Sequence, residues 1–262
     1  KHYYAKWSAA KSYTVQWNLN DGMPTGHPAT NPNTVSNYTV ADADITVNPA
    51  TRNGYTFLGW YDNAGLTGTP VTRIRTMDAE NKQYYAKWSA ANSYTVAYTL
   101  NDGTPTGHPA VNPNTVTSYT VLDPNVTLAP ATRTGYDFEG WYENPAFTGS
   151  PVTGFPVSDA ANKHFYAKWS AAKNYTVQWN LNDGTPAGHP ATNPNTVSNY
   201  TVEDADITIH PATRTGYGFL GWYDNASLTG TPVTNLHTMD AENKQYYAKW
   251  SSTPNSYPIN YV

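Results

Sequence analysis

Tyr13-Thr14-Val15-Gln16-Trp17-Asn18-Leu19-Asn20-Asp21-Gly22 sets Tyr13, Val15, Trp17 and Leu19 on one parity and Thr14, Gln16, Asn18 and Asn20 on the other. A period of two over eight residues predicts a strand with one buried face. Asn20-Asp21-Gly22 then supplies a turn, since Asp-Gly tolerates the positive φ of tight turns. The same stretch returns as Tyr94 to Gly103 and again as Tyr175 to Gly184.

This longer period, of about 80 residues, marks a tandem repeat. Trp7, Trp88, Trp169 and Trp250 are evenly spaced, and Trp60, Trp141 and Trp222 keep the same interval. The chain of 262 residues is thereby divided into residues 1–11 (the end of a truncated repeat), modules 12–92, 93–173 and 174–254, and residues 255–262, the start of a following module. Residues 13–89 and 175–251 differ at 11 of 77 positions, while the middle module is more divergent, with Tyr98 for Trp17 and Glu139 for Leu58. Residues 1–11 match 163–173 except at one position, so the upstream module is expected to be of the middle type, in an alternating two-module unit. Near-identical tandem copies suit a part whose job is length or valency; an active site gains little from such copying.

Outward from the first strand, residues 23–36 read as a long irregular loop, either functional or tied down by its own contacts. Short strands are expected at 38–40 and 45–47, a turn at 49–52, a strand at 54–61, another at 71–76, a turn at 78–82 and a closing strand at 83–88. In the 54–61 strand Tyr55 and Phe57 are taken as core. Trp60 then falls on a partly exposed or junctional face. Residues 89–93 form a short linker that allows limited hinging.

Composition agrees with an all-β chain. Aromatic residues reach 14 % and charged residues only 13 %, the reverse of a disordered segment. A net charge of -4 offers no field for nucleic acid or anionic lipid. With no cysteine, disulfides and thiolate metal sites are excluded. No signal peptide or membrane-spanning run is legible.

Gly54-Tyr55-Thr56-Phe57-Leu58-Gly59-Trp60-Tyr61, Thr69-Pro70-Val71-Thr72 and Tyr85-Ala86-Lys87-Trp88, with their copies in the second and third modules, resemble the Listeria–Bacteroides repeat, also known as the internalin-type B-repeat. In the middle module Ser150 replaces the first Thr of the second motif. The resemblance covers nearly the whole chain. It implies a mainly β protein of small β-grasp-like modules in tandem, found on the bacterial cell surface or secreted, and used as stalks or as adhesion modules. The Pro/Asn/Thr-rich stretch after the first strand departs from the family pattern.

The candidate sites read as follows. His27, His108 and His189 recur in Gly-His-Pro, one per module, which suits loop packing better than a metal. Asn18, Asn20 and Asp21 lack the acidic series of a calcium loop. Asp21 and Asp78 are turn residues with nothing to pair them as acid and base. Lys82 and Lys87 recur and raise an intramolecular Lys–Asn isopeptide bond, which a mass deficit of one ammonia per module would reveal. Trp60, Tyr61, Tyr84, Tyr85 and Trp88 suit either a sugar-stacking platform or a small core with its joints. Trp60, Trp141, Trp222, Trp88, Trp169 and Trp250 are thus the candidate ligand or inter-module contacts, the last three sealing joints. No catalytic, cofactor or metal residue is expected. The leading expectation is a non-catalytic extracellular stalk, an elongated rod of about 90 Å built from modules about 30 Å across. The alternatives are a multivalent adhesin for host or matrix glycan or protein and, more distantly, a filament subunit. The expected partners are neighbouring repeat modules and a host glycan or protein, with no nucleic acid and no membrane insertion.

Overall fold

In the computed structural model the described residues are 1–262 apart from 104, 105, 186, 257 and 259–262. The start of a following module expected at 255–262 therefore lies mostly outside them. The chain divides into two compact units. The first holds the whole first module and residues 115–128 and 153–164 of the second; the other holds residues 98–114 and 129–152 and everything from 165 on.

The first module shows the plan. Its strands are β1 (Ser12–Asn18), β2 (Ala29–Thr30), β3 (Asn37–Thr39), β4 (Ile45–Thr46), β5 (Thr51–Arg52), β6 (Tyr55–Tyr61), β7 (Arg73–Ile74) and β8 (Lys82–Ala91). A four-stranded mixed sheet has the order β3-β1-β8-β6. The first and last strands run parallel at its centre, Val15 beside Lys82 and Trp17 beside Tyr84, and each carries an antiparallel strand on its outer side. Two-residue ladders, β2 with β5 and β4 with β7, hold the intervening loops. The third module repeats this sheet, and all three modules are mainly β.

β1 follows its alternation: Val15 is buried, Tyr13, Trp17 and Leu19 are partly so, and the other parity is exposed. The turn after it differs from the expected one. Asn20, not Asp-Gly, takes the left-handed conformation at φ 49, which asparagine tolerates better than most residues. Its side-chain amide donates to the Ala86 carbonyl at 2.8 Å, fastening the turn to the closing strand.

Two further expectations need correction. Residues 49–52 are not simply a turn, because Thr51 and Arg52 pair with Ala29 and Thr30. Residues 89–91 are not a loose linker either. They continue β8, Ala91 sits opposite Tyr55, and the Asn92 amide donates to Gly54 O at 2.8 Å.

The largest correction concerns Trp60. It is 1 % exposed and lies in its own module's core with Val15, Tyr38, Ile74 and Tyr84. The reason is a bulge in β6 between Phe57 and Gly59. An extra residue shifts the pleat, so the parity read through the strand fails beyond it. Phe57 and Trp60 both turn inward and meet edge to face at 5.6 Å. Gly59 sits at φ +138, and a Cβ there would come within 2.6 Å of Pro70. Leu58 is left on the solvent side at 45 % exposure. In the middle module its place is taken by Glu139, paired with Lys168 at 2.9 Å.

Candidate functional site

The indoles come first. Trp60, Trp141 and Trp222 are each 1 % exposed. Their N–H groups donate to the carbonyls of Asn48, Ala129 and His210 at 2.8–2.9 Å. Buried rings with a satisfied N–H make a core, not an accessible stacking platform. Trp88, Trp169 and Trp250 are partly buried, and their N–H groups donate to Leu19, Leu100 and Leu181 of the same module at 2.7 Å. Their rings meet Phe57, Phe138 and Phe219 at 5.3–5.4 Å. These contacts tie the end of the first strand to the bulged one within each module.

The long loop is tied down by a residue that sequence reading passed over. Arg52 is 6 % exposed. Its Nε donates to His27 O at 2.8 Å, and its Nη2 reaches the carbonyls of Asp21, Met23 and Pro24 at 3.2–3.3 Å. The guanidinium lies 4.2 Å from the Tyr55 ring centroid, and His27 approaches the same ring edge-on at 6.0 Å. Burying a cation is costly unless its donors are satisfied, and a planar five-donor fork suits a ring of carbonyls beside an aromatic face. Arg133 and Arg214 repeat the arrangement over Tyr136 and Tyr217. The histidines thus enter through their backbone carbonyls, as loop packing. The signal was available: an arginine that returns at the same place in every module of a chain with only 15 Lys and Arg.

The other ionisable residues singled out from the sequence also make structural bonds. Asp21 accepts the Ala29 amide at 2.7 Å, fixing the start of β2. Asp78 and Glu80 bind Lys82 at 2.7 and 2.6 Å. Burial opposes the charged form of Lys82, but the hydrogen bonds and charges of these two carboxylates outweigh it and raise its pKa. Lys87 donates to Leu66 O at 3.1 Å and lies over the Tyr61 ring. Both ammonium groups are thus engaged with partners other than an asparagine amide. No group of three or more His, Asp or Glu among the described residues could hold a metal. No helix there is long and apolar enough to cross a membrane.

The described residues also form open grooves. One of about 650 Å³ in the first module is lined by charges of both signs, among them Arg73, Arg75, Asp78, Glu80 and Lys82. Another, of about 320 Å³, is lined by Arg133, Tyr136, Phe147, Lys168, Trp169 and Glu203.

Specific contacts join consecutive modules. Val121 of the second module seats on Gly54 of the first, and Val202 of the third on Gly135 of the second. At the first joint Asn53 Nδ2 donates to Ser158 O at 2.6 Å. At the second, the Tyr136 hydroxyl donates to Glu203 Oε1 at 2.8 Å.

A family model described as the Listeria-Bacteroides repeat domain matches residues 13–87, 94–168 and 175–249. Two proteins of Evansella cellulosilytica, described as membrane proteins and one of them as Gly-rich, are 28 % and 29 % identical over 95 % of the chain. Internalin H of Listeria monocytogenes is 35 % identical over 47 % of the chain. The chain spans 34 %, 26 % and 21 % of these three relatives' own lengths. No solved structure matches it.

Proposed function

The chain belongs to the Listeria-Bacteroides repeat family, and on that premise we propose that it is a non-catalytic spacer segment of a bacterial surface protein, holding a distal domain away from the cell. The observation that carries this reading is where the aromatic surface goes. The rings best suited to a ligand platform fill the cores of their own modules. The chain is stitched back at each module's end: the amides of Asn92, Lys173 and Asn255 donate to the carbonyls of Gly54, Gly135 and Gly216 at 2.6–2.8 Å. Such modules carry length. The relatives' descriptions, membrane proteins and an internalin, support a surface location.

The adhesin reading has less behind it. Its support is the groove beside Trp169, where Phe147 stands in place of Leu66 and Leu228 of the flanking modules.

A spacer must be extended. Three modules about 30 Å across should give a maximum dimension of about 90 Å or more. Small-angle scattering of the 262-residue chain measures this directly, and a compact globule would defeat the spacer reading.

A further inference from the structure

Gly54, Gly135 and Gly216 occupy the same place in the three modules, at φ +78, +80 and +82. All three therefore need glycine for the backbone alone. Their surroundings differ. A Cβ on Gly54 would come within 2.4 Å of Val121, and one on Gly135 within 2.4 Å of Val202, whereas on Gly216 it would meet nothing within 4 Å. The valines tell the same story from the other side. Val121 and Val202 are 4 % and 3 % exposed, but Val40, their counterpart in the first module, is 37 % exposed. Burial of this side chain thus follows the presence of a preceding module's glycine. The glycine's own carbonyl meanwhile binds the linker amide, so a single residue holds both the linker and the incoming module.

We infer that this valine-on-glycine contact is the docking surface between consecutive modules, its partner being a neighbouring module of the same repeat, and that the residue after the valine sets how firmly the two are held. That residue is Leu122 at the first joint and Glu203 at the second. Glu203 accepts a hydrogen bond from Tyr136 across the joint. At the first joint Leu122 can accept nothing, and the hydroxyl of Tyr55, the counterpart of Tyr136, is buried without a hydrogen-bond partner. A carboxylate acceptor makes a stronger hydrogen bond than a neutral one, and a buried hydroxyl left unmade is destabilising. The two joints therefore share one steric contact and differ in their polar bonds, Asn53 to Ser158 at the first and Tyr136 to Glu203 at the second. This holds whether or not the array serves as a spacer.

The test uses the full chain and has two arms. In the first, Gly54→Ala, Gly135→Ala and Gly216→Ala all impose the same backbone strain, but only the first two obstruct a valine. Amide hydrogen exchange of the next module's valine turn, residues 118–123 or 199–204, should accelerate about tenfold or more in Gly54→Ala or Gly135→Ala respectively. Gly216→Ala should leave both turns unchanged. In the second arm, Leu122→Glu installs the missing acceptor. It should raise the thermal midpoint by on the order of 2–4 °C, and the gain should vanish in a Tyr55→Phe background. Unchanged exchange at 199–204 in Gly135→Ala would overturn the docking contact. A Leu122→Glu shift that is absent, or equal in both backgrounds, would overturn the role of the following residue.

Discussion

The middle module and its flanking near-copies reach one framework with different side chains. In the first and third modules Trp17 and Trp179 donate through Nε1 to Val35 O and Val197 O at 2.9 and 2.8 Å. The middle module has Tyr98 there, with its hydroxyl buried and without a hydrogen-bond partner. Tyr84 and Tyr246 give way to Phe165, and Ile74 and Leu236 to Phe155, which packs on Tyr119 at 5.1 Å. Thr76 and Thr238, whose hydroxyls donate to Asp42 O and Asp204 O, are replaced by the buried Val157. Two kinds of side-chain-to-backbone bond recur in all three modules. The amides of residues 76, 157 and 238 all donate to a side chain, from Asp44, Asn125 and Asp206 respectively. The invariant Trp60, Trp141 and Trp222 all hold a carbonyl. Some side-chain bonds to the backbone are thus exchanged for other packing between modules, and others are kept in all three.

If that distinction is right, the invariant indole is worth the most. Trp60→Ala and Trp141→Ala should each destabilise by about 3–5 kcal/mol, measured by denaturant unfolding of the full chain with peptide-resolved hydrogen exchange to assign the module. A middle module that tolerates the loss much better than the first would break the idea of a shared frame. A smaller and opposite pair of effects should follow at the exchanged position. Tyr98→Phe removes an unpartnered hydroxyl and should leave stability unchanged or raise it by about 1 kcal/mol, while Trp17→Phe deletes a made hydrogen bond and should cost about 1–2 kcal/mol. The same sign for both would mean that the two modules are not packed as described.

The mildest effect lies at high pH. Burial pushes the phenols of Tyr84 and Tyr246 up to about 12, against the opposing charges of Lys82 and Lys244. A raised folded pKa contributes stability that is complete below the unfolded value near 10 and is lost as the pH rises from there to about 12. Tyr84→Phe and Tyr246→Phe, which install the middle module's residue, should flatten the fall in thermal midpoint over that window. An unaltered slope would remove these phenols from the account.

The sequence made the repeat, the β class and the first strand legible because each rests on a periodicity: the module length for the repeat, alternate residues for the strand. Trp60 was misplaced because a bulge at Gly59 breaks that second period within one strand. The joints were illegible for another reason. Gly54 and Val121 are far apart in the chain, and nothing local marks either as half of a contact. Residues 1–7 show the limit most directly. Lys163–Trp169 form a strand, but nearly the same residues at 1–7 form none, with Tyr3, Tyr4 and Trp7 at 88–91 % exposure. Strand propensity expresses the neighbours as much as the residues.

Gly54 and Val40 belong to the same module, so every repeat carries both halves of a heterologous, head-to-tail contact. Such a contact has a direction and no built-in end. Unequal crossing-over that inserts or removes one whole module in frame leaves each remaining glycine facing a valine, so copy number can drift without exposing an unmatched internal surface. The residue after the valine is Ala41, Leu122 and Glu203 in the three modules, so an exchange of modules also changes which joints carry a carboxylate acceptor. Selection on length alone would accept either event. Selection on the stiffness of particular joints would hold the order of the modules fixed as well as their number.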